Sequence, residues 1–314
     1  MIIVTGGCGF IGANLIRGLN QIGIFDIIIV DKVNKHKAPY LKKIKFTDLI
    51  EKNSFLKKIE KSYSNFNKAE SIFHLGACTN TLEDNWDYLK YNNLYHSKKI
   101  YEFSKYNSIK FIYASSASVY GLKSGYQRET DWNLKPLNLY AKSKYEFDKF
   151  LFKNKRKTNA IGLRFFNVYG AMEDHKKNMA SPVHKFYQQI NNSGICKVFQ
   201  KFKNYEINDY QRDFIYVEDC AKILIQLSKK NLSGIYNFGT GKTTSFYKIA
   251  DYLIKKINKG KIELIPFPKE LINKYQFVTK ANIESLKNAG LKMSNLNNYK
   301  SGINKFLKIK KTFL

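Results

Sequence analysis

Short apolar runs recur along the first half of the chain, each closed by a turn residue or a polar stop. "IIVTG" at the start, "FDIIIVD" ending at Asp31, "SIFHLGA" and "KFIYASS" are nearly continuous in apolar residues rather than alternating. Runs of this kind fit strands covered on both faces, as in a parallel sheet. Between them the period lengthens to that of amphipathic helices, from about Gly12 to Gln21, around "NNLYHSKKIYEFSKY", and through "YAKSKYEFDKFLF". "NAIGLRFFNVYG" follows as one more strand. Strand and helix in alternation predict an α/β fold, a doubly wound parallel sheet with helices on both faces.

After about residue 167 the rhythm changes. A helix is expected from about Met179 to Asn191, then a polar stretch, "QKFKNYEINDYQ". "RDFIYVEDCAKILIQLSKK" reads as strand and helix, and "GIYNFGTG" as a strand. "SFYKIADYLIKKI", "KIELIPFP" and a last helix near "NYKSGINKFLK" complete the chain. The expected division is a dinucleotide-binding domain over 1–167, to which about 212–240 returns. A smaller α/β substrate-binding domain takes 168–211 and 241–314.

Composition changes the picture mainly through charge. The 314 residues, 44% apolar, can bury a full core, but the formal charge is +29. Such a balance raises nucleic acid or anionic membrane as partners. The lysines are spread over the whole length beside abundant Asn, Ile, Tyr and Phe, which also fits compositional drift, and no nucleic-acid motif is present. A basic surface favours a polyanionic substrate such as a nucleotide sugar. No apolar run is long enough to span a bilayer. "MIIVTGG" begins a strand at once, so no signal peptide is expected. Cys8, Cys78, Cys196 and Cys220 show neither CxxC pairing nor metal spacing and read as reduced thiols of a cytoplasmic protein, with no metal site.

"TGGCGFIG" places Gly6, Gly9 and Gly12 directly after the first strand, with Phe10 and Ile11 opening the helix. The glycines allow a tight turn and close approach of a pyrophosphate to the helix N-terminus. A tight packing turn is the plainer alternative. Asp31, closing the second strand, can accept from an adenosine ribose hydroxyl and favours NAD. Lys32, with Lys35 and Lys37 beyond it, can pair with a 2′-phosphate and favours NADP, or is a solvated loop.

"YAKSK" puts Tyr140 and Lys144 on one helix face. A tyrosine titrates near 10 (about) and is a poor base at neutral pH unless a neighbouring ammonium and an oxidised nicotinamide stabilise its phenolate. Alone, the spacing is common in so lysine-rich a chain. Ser116 tips the balance, because it ends a strand whose C-terminal edge is where open α/β sheets bind ligands. Its hydroxyl can bond the same substrate oxygen.

Together these residues resemble the extended short-chain dehydrogenase/reductases, the Rossmann-type class that acts on nucleotide sugars. Dehydratases of that class carry an Asp-Glu pair just after the serine or threonine. Here Ala117 and Ser118 stand there, so epimerisation is favoured over elimination. "FFNVYGAMEDHKKNMAS", "HLGACT" and "IPFPKELINKYQFVTKANI" are similar to the ADP-L-glycero-D-manno-heptose 6-epimerase family. The resemblance implies a second catalytic base at Lys176, which also meets the cofactor. It further implies cofactor contacts at Leu75, Gly76, Ala77, Asn92 and Val168. Substrate contacts follow at Asn167, Asn178, Lys185, Phe199, Arg212 and Tyr275. His175 is expected to position or pack. The same resemblance implies a tightly bound, recycled NADP (or NAD), ADP-heptose as substrate, lipopolysaccharide inner-core precursor synthesis, and a homo-oligomer, a pentamer in the family.

The chain departs from the pattern in places. Asn178 replaces a serine, Lys185 a histidine with His184 one position off, and Phe199-Gln200-Lys201-Phe202 a Phe-Glu-Gly-Ser phrase. A hexose 4-epimerase would share the glycine loop, Ser116, Tyr140 and Lys144 without needing Lys176. A non-catalytic dinucleotide-binding regulator would not need the complete Ser, Tyr and Lys set.

Overall fold

The computed structural model describes residues 1–32, 41–61, 65–123, 125–152, 158–272 and 275–312. The chain divides into two compact units. The first comprises Met1–Val119, Pro136–Arg164 and Cys220–Tyr236. Its sheet has seven parallel strands in the order Gly234–Phe238, Ala160–Phe165, Lys110–Ser116, Ser71–His74, Ile2–Thr5, Ile27–Asp31, Asp48–Glu51. Order reverses beside Ile2–Thr5, which pairs with Ile27–Asp31 on one side and Ser71–His74 on the other. That reversal makes the crevice where doubly wound sheets bind ligands.

The expected strands are there, and the pattern explains them: Ile2–Thr5 and Ile27–Asp31 are buried at every position. Ile3, Ile28, Val30 and Ile72 pack with Phe55, Phe111, Tyr113 and Phe147 in one core. The helix Phe10–Gln21 starts two residues before the sequence-based estimate.

The second unit comprises Tyr120–Lys135, Phe165–Asp219 and Asn237–Leu314. Its larger sheet runs Thr243–Ser245, Gln211–Tyr216, Val278–Ala281, Gly125–Gln127, with Asn167–Tyr169 also pairing Gln211–Tyr216 in parallel. A smaller sheet pairs Ile195–Phe199 with Lys261–Ile265. Tyr169, Phe186, Ile190, Phe214, Ile249, Leu253 and Phe306 form its core.

Two details differ from the sequence reading. "NAIGLRFFNVYG" is two strands, because Phe166 breaks the run and bonds its N–H to the Phe238 carbonyl at 3.0 Å. Of the stretch 212–240, Gly234–Phe238 is an edge strand of the seven-stranded sheet, whereas Gln211–Tyr216 pairs in the second unit. Among the described residues no helix is long and apolar enough to cross a membrane, and no His, Cys, Asp and Glu group is placed to hold a metal ion.

Candidate active site

The glycine loop is set by sterics. Gly6 has φ +70°, and a Cβ there would stand 2.6 Å from the Gly76 nitrogen. A Cβ on Gly12 would collide with the Gly6 carbonyl oxygen. The helix begins at Phe10, with Ile11 next, after Gly9 as N-cap, and no acidic side chain stands in its first turn. Its first N–H groups therefore present positive partial charge where a pyrophosphate would sit.

Beside the loop lies a cavity of about 230 Å³ lined by Thr5, Gly6, Asp31, Lys32, Lys52, His74, Gly76, Ala77, Cys78, Tyr88, Asn92 and His96, among others. The predicted contacts Asp31, Lys32, Gly76, Ala77 and Asn92 thus meet at one wall, and Leu75 follows the strand Ser71–His74, between His74 and Gly76 of that lining. The Asp31 carboxylate accepts from the Cys8 amide at 2.9 Å and the Lys32 amide at 2.7 Å. Lys35 and Lys37 lie outside the described residues. Lys52 is the residue that sequence reasoning missed: its ammonium donates to the Asn92 side-chain oxygen. Burial lowers its pKa, and the Lys32 charge adds to that. No spacing rule pointed to it, since it arrives from the third strand's end. A dinucleotide's adenosine half fits this set: a cradle that Cβ atoms would fill, a carboxylate, and two cations.

The expected Ser116, Tyr140 and Lys144 all lie on the first unit. Tyr140 opens the helix Leu139–Phe152, and its hydroxyl is hydrogen-bonded to Ser116. Ser116 Oγ accepts from the Ser118 amide at 3.2 Å and the Ser118 hydroxyl at 2.8 Å, which leaves its own proton for the tyrosine. Ser118, which stands where a dehydratase has an acid, therefore orients Ser116. Lys144 is buried and donates to the Ala114 carbonyl oxygen at 2.8 Å.

Burial raises the Tyr140 pKa, and the Ser116 bond opposes that. The expected lowering calls on an oxidised nicotinamide as well as the Lys144 ammonium. Burial also lowers Lys144 to about 8, partly offset by Asp148 and Cys78. In this arrangement the tyrosine is a neutral phenol, and a cation placed beside it is needed to draw its proton off.

One turn beyond Lys144, Asp148 anchors the helix. Its carboxylate accepts from Tyr113 at 2.7 Å, Ser115 at 2.9 Å and Arg164 Nε at 3.0 Å, all in the interior. A second network approaches from the sheet. The Gly76 amide donates to Thr5 Oγ1 at 3.1 Å, so the Thr5 hydroxyl turns its proton to His74 Nδ1 at 2.8 Å. His74 Nε2 then meets Ser97 Oγ at 2.8 Å, and Ser97 donates to the Asn93 carbonyl at 2.7 Å. Asn93 clamps both backbone polar groups of Cys78 and donates to Ser143 Oγ at 2.9 Å, and Ser143 bonds the Tyr140 carbonyl at 2.7 Å. A π-helical turn over Lys90–Tyr95 lets consecutive Asn92 and Asn93 both face inward. Extra-residue turns of this kind cluster at functional sites.

The remaining predicted residues lie in the second unit. Asn167 and Val168 occupy the short strand beside Phe214 and Ile215. Lys176 is part of a 3-10 stretch, Asp174–Met179; its ammonium lies 3.6 Å from a Glu173 carboxylate oxygen and is partly covered. The following helix starts at Pro182, capped by Ser181, later than the expected Met179. Lys185 and Asn178 are exposed, and His184, not Lys185, is buried, with burial lowering its pKa to about 4.

Phe199, Arg212 and Tyr275 do meet. The Arg212 guanidinium lies 4.9 Å over the Tyr275 ring and donates to the Gln211 and Phe277 carbonyls at 2.8 and 3.1 Å. The stretch read as polar is largely aromatic in effect. Phe202 stacks on Phe267 at 4.6 Å, and Tyr205 on Phe277 at 3.4 Å.

Residues 2–239 match the family described as the NAD dependent epimerase/dehydratase family. The chain is similar to the ADP-L-glycero-D-manno-heptose-6-epimerase of Brachyspira hyodysenteriae, 41% identical over 98% of this chain and 97% of that one. It is also similar to the protein of that name from Alkalilimnicola ehrlichii, at 39% over 98% and 96%. Among solved structures it resembles the Helicobacter pylori ADP-L-glycero-D-manno-heptose-6-epimerase, with TM-score 0.82 and 27% identity over 98% and 95% of the two chains.

Proposed function

The chain belongs to the NAD dependent epimerase/dehydratase family and, within it, to the ADP-L-glycero-D-manno-heptose-6-epimerases, and from that membership we infer that it inverts carbon 6 of ADP-D-glycero-D-manno-heptose. This step makes a precursor of the lipopolysaccharide inner core. The observation that carries the reading is the Ser116–Tyr140 hydrogen bond with Lys144 on the same helix face, beside the glycine cradle.

Carbon 6 lies outside the ring. Oxidation there gives a ketone, and rotation about the C5–C6 bond presents its other face for reduction. The nicotinamide, when bound, supplies the two-electron acceptor and donor. Tyr140 takes or returns the proton of the carbon-6 hydroxyl, Ser116 holds that oxygen, and the Lys144 ammonium favours the phenolate. One acid/base cannot serve both orientations equally, and the family resemblance assigns the proton in the other to Lys176. Arg212 and Tyr275, packed with Phe199, are assigned to the nucleotide diphosphate, with Asn167, Asn178 and Lys185 as further substrate contacts and Val168 against the cofactor.

Lys32 and Lys52 at one cavity wall support NADP, since Asp31 already receives two backbone N–H groups. The test is incubation with ADP-D-glycero-D-manno-heptose without added cofactor, following carbon 6 by NMR. Inversion is expected; none would remove the assignment. Loss of inversion in Lys176→Ala separates this reading from a hexose 4-epimerase, which has no use for that side chain.

A further inference from the structure

Glu173 has no exposed surface, yet it is a carboxylate in the segment that carries Lys176. One oxygen accepts from the Gly170 amide at 3.0 Å and the Ser181 hydroxyl at 2.7 Å; the other accepts from the Ser181 amide at 2.6 Å. These bonds close the segment 170–181 on itself. The Lys176 amide donates to the Glu173 carbonyl at 2.9 Å, and its ammonium stands 3.6 Å from the carboxylate. The backbone around it is strained: Met172 has φ 72°, and Lys177 has φ 48° with ψ −122°. Conformations of this kind are costly for residues other than glycine and persist only where the surroundings impose them. The carboxylate supplies that imposition.

We propose that Glu173 is the positioning residue of Lys176: a buried anion that locks the segment 170–181 and thereby fixes where the Lys176 ammonium stands. A cation anchored at both its backbone and its head loses few rotamers when it must meet one carbon-6 oxygen. The alternative, a purely structural carboxylate, would satisfy the three donors equally well with the lysine elsewhere. Burial raises the Glu173 pKa, and the Lys176 charge opposes that. Lys185 lies within electrostatic reach of both and competes for the same anion.

The inference rests on Lys176 as the second proton-handling group, and a double-mutant cycle keeps the two ideas apart. Glu173→Gln, Lys176→Ala and the double variant are compared for carbon-6 inversion and for retention of bound nicotinamide. Glu173→Gln is expected to keep its nicotinamide and its ability to reduce it with one epimer, read as near-ultraviolet absorbance of the reduced ring. Its inversion should fall roughly 100-fold, the scale of a misplaced reacting group. In the Lys176→Ala background the same change should cost almost nothing, because both variants remove one function. Equal losses in the two backgrounds would make Glu173 merely structural and overturn the proposal. Full activity in Lys176→Ala would instead remove the second-base reading itself. Should Glu173→Gln not fold, Glu173→Asp, which keeps the charge but withdraws it, goes through the same cycle with the same criterion.

Discussion

The Lys144 ammonium donates to the carbonyl oxygen of Ala114 at 2.8 Å, which ties the tyrosine helix to the strand that ends in Ser116. Burial lowers that lysine to about 8, so its charge is lost as pH rises through that value. Without the charge the Tyr140 phenolate, already penalised by burial, loses support. Inversion is expected to fall on the alkaline side, above about pH 8, in a pH-rate profile. Lys144→Met should be slower at every pH and should lose that limb; a variant keeping the limb would assign it elsewhere.

The stability sign is opposite. Because the folded pKa lies below the unfolded one, the unfolded chain binds more protons between the two values. The Lys144 contribution therefore costs stability below about 8, and the cost is relieved as pH rises toward 10.5. Denaturant midpoints across that window in wild type and Lys144→Met measure it.

Arg164 and Asp148 form an ion pair with no exposed surface. Burying two charges is expensive, but removing one partner is worse, because it strands the other. Arg164→Leu is expected to cost about 3–5 kcal/mol in denaturant unfolding, while Arg164→Leu with Asp148→Leu should recover part of that loss. If the double variant is no better than the single one, the Tyr113 and Ser115 bonds, and not the ion pair, hold the helix.

How much of this was legible in the sequence follows from what each feature depends on. Gly6 and Gly12, Asp31 and the Tyr140–Lys144 spacing are local: strand, turn and helix periods place them without knowledge of the fold. The strand pattern gave six of the seven strands for the same reason, since "FDIIIVD" is covered on both faces, whereas the edge strand Asp48–Glu51, partly exposed, carries no such run. Lys52 and Glu173 were not legible, because each owes its meaning to residues that only folding brings near: Asn92 in one case, Ser181 in the other. The excursion 120–135 into the second unit was missed likewise, as its pairing with Val278–Ala281 is remote in sequence. The burial that raises the Tyr140 pKa was equally invisible in a spacing.

His74 predicts acid sensitivity. It is buried between Thr5 and Ser97, and burial lowers its pKa to about 3. His96 and His184 are lowered to about 4 by the same cause. Each imidazole is neutral when folded and takes a proton on unfolding near its ordinary value, so stability present above about pH 6.5 is lost as pH falls toward 3–4. Unfolding midpoints between those limits should show uptake of up to three protons. His74→Gln, which keeps a polar group but does not titrate, should reduce that uptake by one. Unchanged uptake would place the proton elsewhere.

The last prediction concerns the dinucleotide. Lys32 and Lys52 line one cavity with Asp31, and the Asp31 carboxylate receives the Cys8 and Lys32 amides. A carboxylate occupied by backbone donors discriminates weakly for a ribose hydroxyl, whereas two ammonium groups gain from a 2′-phosphate. Bonds to charged groups are worth about 1.5–3 kcal/mol, or roughly ten- to a hundredfold in affinity. Lys52→Ala is expected to lower NADP affinity by that factor and to leave NAD affinity nearly unchanged, measured by titrating protein stripped of its dinucleotide. A like loss for both cofactors would mean that Lys52 serves the adenosine pocket through Asn92 alone. Because Lys52 also holds that asparagine, Lys52→Arg is the discriminating control. It keeps the charge and the donor but alters the reach, so NADP preference should survive while absolute affinity for both dinucleotides shifts. Asp31→Asn works in the reverse sense: removing the anion that offsets Lys52 should strengthen NADP relative to NAD, whatever it does to the loop.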